Sequence, residues 1–137
     1  GIVYEGEWYN DYRSGKGKII NNNEFIYEGE FKDDNINGIG KLTEVSGDIY
    51  EGEFKNNKYN GKGKLIIKNG DIYEGEFKDD NFHGKGKLTY KKGSIYEGEF
   101  KNDKFNGKGK LKCIIGNIYI YEGGPSDTYH FWYSVVF

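Results

Sequence analysis

The chain is predicted to be all-β: an elongated, twisted, single-sheet antiparallel β-meander of repeated hairpins. Three features carry this: a fixed 23-residue repeat, two-residue alternation of apolar positions within it, and a composition stripped of helix formers. Alanine and glutamine are absent, whereas Gly (22), Tyr (13) and Phe (9) are abundant. These are residues of strands and turns.

The repeat is read directly from the chain. Tyr-Glu-Gly-Glu-aromatic occurs at Tyr4–Trp8, Tyr27–Phe31, Tyr50–Phe54, Tyr73–Phe77 and Tyr96–Phe100, each 23 residues after the last. Eleven residues after each Tyr begins a Gly-x-Gly: Gly15/Gly17, Gly38/Gly40, Gly61/Gly63, Gly84/Gly86 and Gly107/Gly109. Ile19, Leu42, Leu65, Leu88 and Leu111 follow these pairs, and Ile26, Ile49, Ile72, Ile95 and Ile118 precede the next Tyr position.

Each unit reads as one hairpin with two unlike faces. In the first strand Tyr27, Gly29 and Phe31 share a face, with Glu28 and Glu30 opposite; in the second, Gly38, Gly40 and Leu42 share a face, with Ile39 and Lys41 opposite. Polar loops such as Asp33–Asn37 are expected between the strands, and tight turns such as Asn69-Gly70 and Lys92-Gly93 between repeats. With strands ~4.8 Å apart, five such hairpins extend roughly 50 Å. A glycine opposite a Tyr or Phe leaves room for the ring to lie flat on bare backbone, which paves one face with aromatics. On the other face Glu74 and Glu76 should meet Lys85 and Lys87 as an opposite-charge ladder.

Composition also sets limits. An apolar fraction of 35% against 31% charged makes a thick two-layer core hard to fill, yet 18% aromatic residues is too many for a disordered chain. The single Cys113 forms no internal disulfide, no Cys/His spacing suits a metal and no cofactor motif occurs, so a reducing cytoplasmic setting is expected. No apolar run approaches the ~20 residues that span a bilayer, and no signal-peptide pattern opens the chain. Without any methionine, Gly1 is not an initiator, and the chain reads as processed or cut from something larger.

Tyr-Glu-Gly-Glu-Phe, then Gly-Lys-Gly-Lys, then Gly-Asp/Ser-Ile-Tyr together resemble the MORN (membrane occupation and recognition nexus) repeat, from about Tyr4 to Tyr119. The resemblance implies a protein-binding or membrane-apposing module. Proteins with such repeats include cytoskeletal and ciliary scaffolds, junction proteins joining two membranes, and enzymes whose repeats flank a kinase or methyltransferase domain.

The pattern departs at both ends. Arg13 stands where later repeats carry Ile36, Tyr59, Phe82 and Phe105, as a terminal unit would have it. The array is expected over residues 1–122, five repeats and a partial sixth, with an irregular cap or tail over 123–137. Tyr119 falls where the period requires a Tyr, while Tyr119–Gly124 looks like the motif displaced by two residues. Pro125-Ser126-Asp127 reads as a turn into an apolar run ending at Phe137. That run reads as a capping strand, with a sticky edge for a homodimer as the alternative.

Catalytic chemistry finds little footing. Gly38-Ile39-Gly40-Lys41-Leu42-Thr43 lacks the spacing and the following helix of a phosphate loop, and the glutamates recur in every repeat, unlike a single acid/base pair. His83 replaces Ser14, Asn37, Asn60 and Asn106 at one loop position, with no nucleophile near it in sequence. Residues 1–49 hold five basic against ten acidic side chains, and residues 50–118 fifteen against ten. The basic half would suit an anionic membrane surface through Lys85, Lys87, Lys108 and Lys110, but its lysines alternate with glutamates where lipid recognition wants a cluster. Nucleic acid is not an expected ligand at a pI near 5.8.

The expected function is therefore a non-catalytic scaffold that receives a protein partner on an aromatic strip of Tyr27, Phe31, Tyr50, Phe54, Tyr73, Phe77, Tyr96 and Phe100. Packing within the sheet is the competing role for the same rings. The two alternatives are a membrane-associated module binding anionic phospholipid and a regulatory segment of a larger enzyme.

Overall fold

The structure, a computed structural model, describes residues 1–113, 117–123 and 129–135. Twelve strands form one sheet in sequence order, all antiparallel neighbours. They are β1 (Ile2–Tyr9), β2 (Tyr12–Asn21), β3 (Phe25–Lys32), β4 (Asn35–Glu44), β5 (Ile49–Lys55), β6 (Lys58–Ile66), β7 (Ile72–Lys78), β8 (Asn81–Thr89), β9 (Ile95–Lys101), β10 (Lys104–Lys112), β11 (Asn117–Gly123) and β12 (Tyr129–Val135). The sheet is open, with β1 and β12 at its two edges. No helix occurs among the described residues.

Turn chemistry differs from the sequence expectation in where the tight turns fall. Within each repeat the connection is only two residues long: Lys32 pairs with Asn35, leaving Asp33-Asp34 as the turn, so Asn35–Asn37 belongs to β4 and not to a loop. Both turn residues have positive φ, as at Asp33 (48°) and Asp34 (69°), and an Asn or Asp occupies both positions in all five repeats. This is the two-residue geometry that matches strand twist, and short Asx side chains tolerate it. Between repeats the turns that carry Asn69-Gly70 and Lys92-Gly93 are three residues long. Gly70 N–H bonds to Ile67 O at 2.8 Å and Ile67 N–H to Asp71 O at 2.8 Å, with Gly70 at φ 100°, a type I turn closed by a left-handed glycine.

Each hairpin also contains a bulge. Gly29 pairs with Gly40 and Phe31 with Ile36, so the single residue Glu30 faces three, Asn37, Gly38 and Ile39. The extra residues let the second strand re-aim its backbone, and Gly38 takes φ 105° to do so. Its predicted place on the aromatic face is corrected accordingly: a Cβ at Gly38 would meet the Glu30 side chain.

At the far end Leu111 pairs with Tyr119, as Leu88 pairs with Tyr96, so β11 follows the 23-residue period and not the motif displaced by two residues. β12 then pairs with β11 from Asn117↔Val135 to Gly123↔Tyr129. The turn expected at Pro125-Ser126-Asp127 and the end of the apolar tail lie outside the described residues.

The core runs along one face of this single sheet. Tyr27, Tyr50, Tyr73 and Tyr96 are fully buried and Phe31, Phe54, Phe77 and Phe100 nearly so. The total accessible surface is 9189 Å², against about 7300 Å² expected for a compact monomer of this mass. The excess is what an open sheet with no second sheet across it must show. Small-angle scattering is expected to give a radius of gyration well above the ~15 Å of a compact globule of this length; a value at that figure would mean the sheet closes on itself.

Candidate interaction surfaces

The aromatic face is built in two layers. In the inner layer each Tyr ring lies over a glycine of the neighbouring strand. A Cβ at Gly17 would come within 2.6 Å of Cε2 of Tyr4, closer than a rigid ring and a methyl group tolerate. Gly40, Gly63, Gly86 and Gly109 stand in the same way against Tyr27, Tyr50, Tyr73 and Tyr96. The hydroxyl at the ring's far end donates to the carbonyl of the bulge glutamate: Tyr27 to Glu30 at 2.8 Å, Tyr50 to Glu53 at 2.6 Å, Tyr73 to Glu76 at 2.7 Å. The phenylalanines interlock with these rings edge to face. Tyr27 meets Phe31 and Phe54, each at 5.2 Å between centroids, and Tyr50 and Tyr73 likewise touch the Phe of their own repeat and of the next.

The outer layer comes from the position that sequence reading placed in a loop. Tyr59 stacks on Tyr50 at 3.9 Å and 6°, Phe82 on Tyr73 at 3.8 Å and 7°, and Phe105 on Tyr96 at 3.8 Å and 10°. Ile36 holds the equivalent place in the second repeat and is itself buried. Arg13 holds it in the first, its guanidinium carbon 5.8 Å from the Tyr4 ring centre and 5.7 Å from that of Phe31. A cation over the rings suits a repeat whose Tyr is only partly buried.

The eight rings expected to form a partner-binding strip are therefore the inner layer, 0–4% exposed. They contact one another, and a molecule lying on this face would touch Tyr59, Phe82 and Phe105, which are partly buried. Burial, reinforced by the nearby glutamate, pushes the Tyr96 hydroxyl up to about 12. The Tyr27, Tyr50 and Tyr73 hydroxyls are raised further, again by burial first and the adjacent glutamate second.

The opposite face is charged and nearly neutral by construction. Glu5, Lys18, Glu28, Lys41, Glu51, Lys64, Glu74, Lys87, Glu97 and Lys110 succeed one another across ten strands, each opposite the next. Beside this row runs an unbroken line of paired glycines from Gly6 to Gly109. The glycine line floors shallow troughs of 580 and 570 Å³ walled by glutamates and lysines.

Of the expected cross-hairpin pairs, Glu74 does oppose Lys87. Glu76 plays a different part: its carboxylate accepts the backbone N–H of Lys85 at 2.5 Å inside the bulge. Glu7 and Glu99 do the same for Lys16 and Lys108. The second glutamate of the motif is thus a backbone cap. The lysines considered for lipid contact each oppose a glutamate, Lys85 opposite Glu99, Lys108 opposite Glu122, and Lys87 and Lys110 both opposite Glu97. The one ion pair closer than 4 Å among the described residues is Arg13–Asp34 at 3.3 Å, on partly exposed side chains.

Successive repeats are stapled at their tips, a feature sequence reading missed. The second turn residue reaches back to the preceding repeat with side chain and backbone together. Asp80 Oδ1 accepts from Tyr59 N at 2.8 Å while Asp80 N donates to Tyr59 O at 3.0 Å, and Asn57 and Asp103 do likewise for Ile36 and Phe82. The signal was present in the sequence as an Asn or Asp at 11, 34, 57, 80 and 103.

The family model of the MORN repeat matches residues 4–23, 27–49, 50–72, 73–95 and 96–118. The chain belongs to the MORN repeat family. Comparison with curated protein sequences returns no match. Five MORN repeats thus account for β1–β10 and the glycine line, and the Tyr-to-Glu and Glu-to-backbone bonds described above recur at the family's period.

Two outcomes test this geometry. Gly63→Val or Gly86→Val drives a branched side chain into a Tyr ring and is expected to cost about 1–3 kcal/mol, whereas Lys64→Gln or Lys87→Gln on the charged face costs within about 0.5 kcal/mol. Equal shifts in denaturant midpoint would refute the face assignment. Alkali provides the second. Because the folded array holds its tyrosines protonated above their unfolded pKa near 10, that stability is intact below pH ~10 and lost as pH rises toward the folded values. Tyrosinate absorbance and loss of β circular dichroism should rise together above pH ~10.

Proposed function

We propose that this MORN array is a non-catalytic scaffold that holds a protein partner on its aromatic face, through the outer row of Tyr59, Phe82 and Phe105. The observation that carries this reading is the parallel stacking of these three partly buried rings on buried tyrosines, one per hairpin. The stacking fixes their orientation before any partner arrives, so little side-chain entropy remains to be lost on binding. Rings presented in this way have the make-up of an interface core.

The sheet geometry supports an extended or helical segment lying across the strands, since like side chains recur once per hairpin, ~9.6 Å apart. The charged face is a poorer candidate. Its lysines face glutamates, and attraction to an anionic leaflet would be screened beyond ~8 Å at physiological salt.

Photo-crosslinking side chains placed at 59, 82 and 105, and as controls at 64 and 87, test the assignment in cells. Protein adducts from the first set and none from the second are the expected result. Adducts only from 64 and 87 would move the binding surface to the charged face. Tight vesicle flotation at physiological salt, lost on mutating Lys85, Lys87, Lys108 and Lys110, would replace the scaffold with a lipid-binding module.

A further inference from the structure

The inner layer of the aromatic face repeats without change, so it gives a partner no register: a segment moved along by one hairpin would meet the same rings. Only positions that vary from repeat to repeat can fix where a segment lies and which way it runs. The outer row is one such set. The ends of the second strands are another, and there Glu44 is ionised whereas its equivalents Asn21, Ile67, Tyr90 and Cys113 carry no charge.

Glu44 Oε1 lies 3.3 Å from the Tyr59 hydroxyl. Burial raises the pKa of that hydroxyl, and the carboxylates of Glu44, Asp80 and Asp48 raise it further, so the hydroxyl end of this ring sits in a negative field. Packing does not require the arrangement, because Phe82 and Phe105 stack as closely as Tyr59 with no hydroxyl to bond. The first repeat shows what such a place accepts. Arg13 lays its guanidinium over the Tyr4 and Phe31 rings, with Asp34 Oδ1 3.3 Å from its Nε.

Resting on the scaffold role proposed above, we infer that the outer row takes a polyproline II segment of the partner protein, with a Lys or Arg on Tyr59 and prolines on Phe82 and Phe105: basic-x-x-Pro-x-x-Pro. Spacing selects the form. The three rings recur at ~9.6 Å, two strand separations. Every third residue of a polyproline II helix lies on the same side at ~9.3 Å, so two steps leave a misfit of only ~0.6 Å. Same-side residues of a β-strand recur at ~6.7 Å, and seven residues of α-helix span ~10.5 Å, which is ~1.8 Å out after two steps. A polyproline II backbone keeps its polar groups in water, which suits a face whose own amides and carbonyls are engaged in the ladder and the bulge. It is also extended before it binds, so docking on aromatic rings costs little chain entropy. Glu44 supplies the direction: a segment turned end for end would carry its cation to Phe105, where Tyr90 stands in the equivalent place.

The acetylated, amidated peptide Arg-Ala-Pro-Pro-Ala-Pro-Pro, titrated into the whole chain and followed by NMR, tests the inference. Saturable binding is expected by ~1 mM peptide, with the ring resonances of Tyr59, Phe82 and Phe105 shifting. Glu44→Lys should weaken it roughly fivefold, the scale of one exposed ion pair, and the same peptide with Glu in place of Arg should recover binding to that variant. Phe82→Ile, which installs the residue type that the second repeat carries at Ile36, should weaken binding while the β circular dichroism is kept. No binding at ~1 mM, shifts confined to other residues, or binding indifferent to Glu44→Lys or to Phe82→Ile would each overturn the inference. Tighter binding of an Arg-bearing peptide that is α-helical in solution would overturn it in favour of a helix. If photo-crosslinks form at 59, 82 and 105 while the proline peptide does not bind, the polyproline II partner fails and the scaffold reading stands; adducts only from 64 and 87 remove both.

Discussion

The array depends on one contact, the tyrosine ring laid on the bare backbone of a glycine in the adjacent strand. A single sheet has no second layer to cover its apolar side, so a ring standing upright would remain wet. Lying flat along its own strand, the ring covers neighbouring backbone and reaches the bulge with its hydroxyl, where it satisfies the Glu carbonyl. The same glutamate's carboxylate satisfies an N–H of the opposite strand, so the hydrogen bonds that the bulge removes from the ladder are replaced on both sides. Tyr, Gly, Glu and the Gly-x-Gly are one device, which is why all four recur together at 23 residues.

From this device follows the quasi-one-dimensional character of the molecule. The rings of Tyr27, Tyr50 and Tyr73 meet side chains of their own and the next repeat, and each clamping turn reaches only the repeat before it. Stability then accrues as repeat and neighbour terms, with edge-to-face pairs contributing about 0.5–1.5 kcal/mol each beyond burial.

Much of this was legible in the sequence, and the misses have physical causes. Alternation fixed the two faces, because it depends only on strand geometry, and glycine does make room for the rings, although Gly40 beneath Tyr27 pairs with Gly29 and does not stand opposite the ring. Burial of the eight rings was underestimated because Tyr59, Phe82 and Phe105 had been read as loop residues. Asn-Gly drew the tight turn to the wrong side of the hairpin, whereas the Asx pairs at 33-34 and 79-80 already carried the positive-φ signature twice over. The bulge was hidden for a related reason: two extra residues leave the period of two intact on either side, so nothing in the apolar pattern marks it. The outer tail, by contrast, gave no repeat against which to register its side chains.

Charge arrangement bears on how such a surface discriminates. In the row from Glu5 to Lys110 each charge is flanked by its opposite, so the field of the face cancels within a few ångströms even though it carries many ionised groups. A face of this kind keeps the sheet hydrated while its field beyond the surface stays small. On the other side of the sheet the outer aromatic row, each ring stacked by one face on a buried tyrosine, is where the apolar layer meets solvent.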